Sequence, residues 1–385
     1  MTQIPNAIKE QNNRKAQINE DEKNLNILYK QYDVLKQQIL KPYDDLKPSP
    51  ILVFKTGEPF LDKCTITQIQ GSYGSHKSRL SANGIVAALG GNDNVLQKPY
   101  QGSIRVLYMD SERSVKAEFA TAVKAIVDTI GTDDDFLYTS LLTIPRHDRI
   151  EAIKTFIEKE RNDHPDDHII VVFDVSTDLT GSFNSESDAL DLFGFFSLMI
   201  NDFDMSIIHV IHENPNRGEY SKARGHVGTE GTNKSSNVLS IKYEGNREEK
   251  VIAIEFVKVR NTDPKHKIYV QYNEETKLLV LRDQRLAEAQ ITAKKVGIDA
   301  INAVRDCFFD KDNSFNEHLF VDKMVAVKAI MKGTGLKETA ARAKIDLIID
   351  KEVQISHPSQ EFITFKIGRK PNPNDHKKKN IFLYK

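Results

Sequence analysis

Ile66-Thr67-Gln68-Ile69-Gln70-Gly71-Ser72-Tyr73-Gly74-Ser75-His76-Lys77-Ser78 is an apolar run that breaks into a glycine-bearing loop closing on Lys-Ser. The loop reads as a nucleotide-binding P-loop. Backbone N–H groups that turn inward around phosphate oxygens favour glycine where φ is unusual or a ligand comes close. Gly71, Ser72, Tyr73, Gly74, Ser75, His76, Lys77 and Ser78 are therefore the nucleotide-binding candidates, with Lys77 reaching the β/γ-phosphates of ATP and Ser78 holding Mg²⁺. A helix is expected over Lys77 to Leu89, and its N-terminal dipole also favours an anion. The strict pattern asks for glycine where His76 stands, and taken alone such a loop is also compatible with an ordinary turn.

Working outward, the block from 50 to 284 alternates strand-like and helix-like runs, the order of an α/β domain with a mainly parallel sheet flanked by helices. Ile104 to Asp110 is a buried-strand pattern ending in Asp110-Ser111-Glu112, and ligands of open α/β sheets bind at the carboxyl ends of strands. Glu112 is thus a candidate to polarise an attacking water; alternatively it is an acid serving the dipole of a helix over Arg113 to Ile130. His168 to Asp174 is an aliphatic run closing on an acid, the Walker B pattern, whose carboxylate Asp174 would hold Mg²⁺ through water. Asp178 is a weaker acid candidate. Ser206 to Ile211 ends in His212, either a sensor of the γ-phosphate or a hydrogen-bonded histidine without that role. The polar segment from Pro215 to Gly225, with Arg217, Lys222 and Arg224, reads as a long surface loop of the kind that is often functional. Glu255 to Asn261 is a strand whose alternation sets Lys258 and Arg260 on one face; two solvated cations are the plain alternative.

In this order the pieces resemble the RecA-like ATPases, and within them the RepA and DnaB-type hexameric helicase branch, over about residues 60 to 284. RepA-like chains carry an Asn-Ser pair after Walker B, similar to Asn184-Ser185 here, and an Arg-Gly-Ser segment, similar to Arg224-Gly225-His226. This chain departs from them at His76, and at Glu213 where they tend to have a second histidine. The resemblance implies a homo-oligomer, up to a hexamer, in which Lys258 and Arg260 reach the γ-phosphate held by the neighbouring subunit. It also implies single-stranded DNA as the partner of the ATPase domain.

Three units are expected: an N-terminal helix and linker (1–49), the RecA-like ATPase domain (50–284) and a small winged-helix-like domain (285–385). Residues 7 to 41 lack Gly and Pro, and Ile18, Leu25, Leu28, Tyr32, Leu35 and Ile39 recur at spacings of three and four, which predicts a helix with a narrow apolar stripe. Such a stripe pairs as a coiled coil, docks on another subunit or packs on its own domain. From Gln284 the pattern becomes helical over Ala287 to Phe308, Val321 to Met331 and Leu336 to Ile349. Strand-like runs follow at Val353 to Ser356 and Phe362 to Ile367, completing the order of a winged helix. Lys337, Arg342 and Lys344 would lie on its recognition helix. Residues 361–385 hold seven Lys/Arg against Glu361 and Asp375. That local basic patch makes Arg369, Lys370, Lys377, Lys378 and Lys379 candidates for duplex DNA, unless the module docks protein.

The whole chain, 385 residues with 39% hydrophobic content and a formal net charge of −1, has no global attraction for polyanions. Cys64 and Cys307 are isolated and lack metal or redox spacing, no window has the length of a membrane span, and the first residues are too polar for a signal peptide. A cytoplasmic protein is expected. The sequence reads as an ATP-hydrolysing motor acting on DNA, a RepA/DnaB-type helicase of a plasmid or mobile element. The alternative is a nucleotide-dependent oligomeric DNA-binding regulator or scaffold that does not unwind.

Overall fold

The computed structural model describes residues 22–42, 49–214, 222–244, 251–262, 266–308, 321–349, 352–356, 362–372 and 375–384. Residues 1–49 and 50–385 form two compact units. In the first, helix α1 spans 22–38, and its stripe residues Leu25, Leu28, Tyr32 and Leu35 are all exposed. Residues 7–21 of the expected helix, Ile18 among them, lie outside the described residues.

The second unit is α/β. Its centre is a nine-stranded mixed sheet in the order β12-β11-β10-β9-β3-β8-β7-β5-β6. The parallel part joins β3 (Ile66–Gly71), β5 (Ile104–Asp110), β6 (Phe136–Ser140), β7 (His168–Asp174), β8 (Met205–His212) and β9 (Asn237–Tyr243). Strands β10 (Ile252–Val259), β11 (Ile268–Tyr272) and β12 (Leu279–Leu281) continue it antiparallel. Every residue of β5, β7 and β8 is buried, which is why these strands read as unbroken apolar runs rather than as alternation.

Both faces are covered. On one, α2 (Lys77–Ala88) and α3 (Ala120–Ile130) pack with the three-stranded sheet of β1 (Pro50–Phe54), β2 (Pro59–Asp62) and β4 (Leu96–Gln97), around a core that includes Phe54, Phe60, Ile85, Val86, Tyr108 and Ile126. On the other, α4 (Arg149–Asp163), α5 (Glu186–Phe203) and α6 (Gly225–Lys234) enclose Ile157, Phe173, Phe193, Phe196 and Val227. At roughly 25 cal/mol per Å² of apolar surface removed from water, these two layers are the main source of stability. Helix α5 is entered through Ser185, whose hydroxyl accepts from the Asp188 amide at 3.2 Å.

The expected boundary at 284/285 falls at the start of α7 (Gln284–Val296). Ala287 and Ile291 of α7 pack on Val251, Ala253 and Tyr269 of the large sheet. Beyond it, α8 (Ile298–Asp306), α9 (Lys323–Thr334) and α10 (Glu338–Ile348) build a separate core around Ile301, Val304, Val327, Ile330 and Ile345. A four-stranded sheet, β13-β16-β15-β14, joins them (β13 Val321–Asp322, β14 Glu352–Ser356, β15 Phe362–Asn372, β16 Asp375–Tyr384). Two expectations are corrected here. The single helix over Ala287 to Phe308 is two helices, because Gly297 adopts φ +92° and its carbonyl starts a new ladder to the amides of Ala300 and Ile301. The basic end of the chain forms a third long strand, β16, paired with β15 and β13. Its Lys377-Lys378-Lys379 run lacks the alternation by which a strand is read.

Candidate functional site

Four parallel strands, β3, β8, β7 and β5, lie side by side and end on the same edge of the sheet. Their carboxyl ends deliver the loop 72–76, His212, Asp174 and Asp110-Ser111-Glu112 to one place. A cavity of about 770 Å³ opens there, lined by Tyr73 to Ser78, Glu112, Arg113, Asp174 and His212.

The backbone of the loop is tightly constrained. Gly71 leaves no room for a side chain: a Cβ would lie 2.4 Å from the Ile241 carbonyl oxygen and 2.5 Å from Ser75 Oγ. Gly74 and His76 both take left-handed backbone angles, φ +69° and +70°. His76 is thus an L-residue where the pattern specifies glycine, and its ring is tied down: Nε2 lies 2.5 Å from the Tyr243 hydroxyl and Nδ1 3.0 Å from Arg79 Nη1. Ser75 Oγ is buried with no hydrogen-bond partner.

Lys77, 5% exposed, donates from Nζ to the Ser72 carbonyl at 2.8 Å, closing the mouth of the loop. Burial pushes its pKa down, opposed by Asp174, Glu112 and Glu213. Ser78 Oγ donates to Asp174 Oδ1 at 3.1 Å, so the two candidate magnesium holders touch. Asp174 Oδ2 accepts from the Tyr108 hydroxyl at 3.0 Å and from Arg113 Nη2 at 2.8 Å, while Arg113 Nε donates to Asp110 Oδ2 at 2.6 Å. Arg113 therefore joins two acids that stand opposite each other in register at the ends of β5 and β7. Burial raises the Asp110 pKa, with Arg113 opposing. Glu112 Oε1 sits 3.0 Å from His212 Nε2, and that hydrogen bond holds the Glu112 carboxyl below the usual carboxylate range.

Lys77, Ser78, Glu112, Asp174 and His212 are thus brought together, and Lys258 and Arg260 are not. Antiparallel pairing sets Val259 opposite Asn237, the residue level with Thr67 at the beginning of β3, so this pair lies at the far edge of the sheet. Both cations serve the C-terminus of α6: Lys258 Nζ donates to the Thr232 and Asn233 carbonyls at 2.7 and 2.8 Å, and Arg260 Nη2 to Asn233 at 2.9 Å. A bulge between Phe256 and Lys258 interrupts the simple alternation expected there. Asp178 is outside the cavity and pairs with Arg146 at 3.1 Å. Glu213 is buried, and its carboxylate accepts from Gln70 Nε2 at 3.1 Å and from Ser240 Oγ at 2.8 Å.

Of the residues read as contacting nucleic acid, Lys222 is exposed and Arg224 precedes α6 with its guanidinium 4.1 Å above the Phe183 ring. Lys337 is exposed at the start of α10; Arg342, also exposed, bonds Glu338 at 2.8 Å, and Lys344 is half-buried. Arg369 and Lys370 lie in β15 and Lys377, Lys378 and Lys379 in β16, whereas Arg217 lies outside the described residues.

Sequence reasoning missed Arg113, Tyr108, Arg79 and Tyr272. Arg79 lies 3.6 Å over the Tyr272 ring, and both line the cavity together with Ala122, Ala125 and Leu278. A hydroxyl inside the buried Ile104–Asp110 run was the available signal for Tyr108. Tyr272 had none, since only the antiparallel extension of the sheet carries it to the loop. No protein-family model matches the chain, and no curated protein matches it at significance.

Proposed function

We propose that the chain is a RecA-like P-loop ATPase that acts on DNA, a motor of the RepA/DnaB helicase type. One observation carries the reading: Lys77 in the loop after β3, and the Ser78–Asp174 pair at 3.1 Å, face one cavity with Glu112. The residues fit ATP and Mg²⁺. An orphaned buried hydroxyl, Ser75 Oγ, and a buried ammonium whose nearest acceptor is a loop carbonyl are what a phosphate-binding loop offers its ligand. Among the described residues no group of three or more His, Cys, Asp or Glu is arranged for a metal, so a divalent ion here would take Ser78, water held by Asp174, and phosphate oxygens. Bound there, Mg²⁺ would neutralise charge on the β/γ oxygens.

The protein's part follows. Lys77 exchanges the Ser72 carbonyl for the β/γ-phosphates. Glu112 takes a proton from the water whose oxygen attacks the γ-phosphorus, and the bond to the β–γ bridging oxygen breaks to give ADP and phosphate. The Tyr272–Arg79 wall offers the nucleobase a flat, cationic surface. Lys258 and Arg260 act on a neighbouring subunit in an oligomer. The C-terminal domain acts as a winged helix contacting duplex DNA through α10 and the β15–β16 strands, a role supported by the exposure of Lys337 and Arg342 and the basic composition of residues 361–385. Turnover of ATP measured with and without single- and double-stranded DNA, beside mass photometry and a strand-displacement assay, tests the proposal. DNA-stimulated turnover with strand displacement is expected. DNA binding in static oligomers without displacement selects the scaffold, and an inert Lys77 in a turning-over protein overturns the site.

A further inference from the structure

The His212 ring, 7% exposed, is held by few polar contacts. Its Nδ1 is buried with no hydrogen-bond partner, and its Nε2 makes the bond to Glu112 Oε1 at 3.0 Å. Tyr73, at the crown of the phosphate loop, stacks on the face of the ring with centroids 4.1 Å apart and planes 28° from parallel. Tyr73 is a large aromatic left 60% exposed, so burial of its own surface does not account for its position. Its hydroxyl lies 3.4 Å from Arg224 Nη1, and the Arg224 amide donates to the His212 carbonyl at 2.8 Å. The start of α6, the loop tyrosine and the end of β8 thus meet around one imidazole.

We infer that Tyr73 is a positioning residue: by stacking on His212 it aims Nε2–H at the Glu112 carboxylate and so sets where Glu112 meets the attacking water. The inference rests on the ATPase reading for its catalytic consequence, and on geometry alone for the ring. An imidazole with one hydrogen bond swings about that bond unless its face is covered. A misdirected Nε2–H then lets Glu112 turn toward solvent, and a misplacement on the order of 1 Å costs about a hundredfold in rate. Nucleotide binding is expected to survive, because Tyr73 gives the phosphates only its amide, which any residue supplies.

The test uses the full chain with Tyr73→Phe, which keeps the stack and loses the hydroxyl, and Tyr73→Ala, which loses both. Two readouts are taken: nitrogen NMR of the His212 imidazole in the nucleotide-free protein, and hydrolysis beside binding of a fluorescent ATP analogue. A fixed Nε2–H tautomer in the unmodified chain and in Tyr73→Phe is expected, with a rotating or mixed tautomer in Tyr73→Ala. Turnover should drop about tenfold to a hundredfold in Tyr73→Ala at near-normal analogue affinity, and return in Tyr73→Phe. If the imidazole signal is the same in all three proteins, or if Tyr73→Ala turns over normally, the positioning role is wrong while the ATPase reading stands. A loss of turnover matched by loss of analogue affinity also overturns it, as Tyr73 would then be a binding residue. An unmodified chain without turnover but with the expected NMR contrast instead sinks the ATPase reading and leaves the ring argument intact.

Discussion

His76 takes a left-handed backbone angle that costs an L-residue about 1–2 kcal/mol, and it offsets that with the Tyr243 and Arg79 contacts. His76→Gly should therefore keep nucleotide affinity with little change in melting temperature. His76→Val, which is β-branched at the same angle, should lower both; equal behaviour of the two variants in a thermal shift series with ATP would show that the loop tolerates another conformation. Lys77→Ala should abolish nucleotide binding. Glu112→Gln should bind normally and hydrolyse about a hundredfold to ten-thousandfold more slowly, read from binding and turnover on the same preparations. Asp174 and His212 were visible in the sequence because each ends an apolar run, and a buried strand followed by a polar residue is a local signal. Arg113 carries no such mark: its role comes from the Asp110–Asp174 pairing of two strands 64 residues apart in sequence.

Strand β7 buries His168, and β8 buries His209 as well as the site residue His212. Burial lowers His168 to about 4 and His209 to about 3 from an ordinary 6.5. Both are neutral in the folded protein near neutrality, while the unfolded chain takes up protons as pH falls through 6.5. Their contribution to stability is therefore complete above pH 6.5 and is lost progressively as pH falls toward 4 and then 3, at up to about 1.4 kcal/mol per pH unit for each. Melting temperatures between pH 7 and 4.5 should drop accordingly, and His209→Gln should make the slope shallower. At the far edge of the sheet, Lys258 and Arg260 sit where a helix C-terminus attracts cations, worth about 0.3–1 kcal/mol each. Arg260→Ala should accordingly melt slightly earlier, bind ATP and hydrolyse it poorly. Mixing it with Lys77→Ala should restore some turnover, since the first keeps an intact loop and the second supplies the arginine. Mixed oligomers that remain inactive would leave Arg260 with its helix-capping role alone. Strands β3, β5, β7 and β8 were legible as runs closing on polar residues, but the helix break at Gly297 and strand β16 were not. The first depended on one backbone angle and the second on partners that a lysine run gives no hint of.

The whole molecule divides its apolar surface unevenly. Leu28 and Leu35 on α1 are each 62% exposed. Deleting residues 1–41 should lower the oligomer mass, and an unchanged mass distribution would remove α1 from assembly. At the other end a cut after α7 is the cleaner one, because Ala287 and Ile291 belong to the large sheet while Ile301 and Val304 belong to the C-terminal core. A chain ending at residue 296 should retain basal turnover and lose DNA affinity most at low salt, where phosphate contacts count most. Equal affinity across a salt series would mark the last domain as a protein-docking module. Among the described residues no helix is long and apolar enough to cross a membrane. The pairing of β3 bears on how the chain is made. Ile66 pairs with Ile207 and Thr67 with Asn237, separations of 141 and 170 residues. On a ribosome adding about 5–20 residues per second, β3 and its loop emerge roughly seven to thirty seconds before either neighbour exists. The nascent chain spends that interval with β3 unpaired on both edges, so its yield in a cell should depend on chaperones that shield such strands during synthesis.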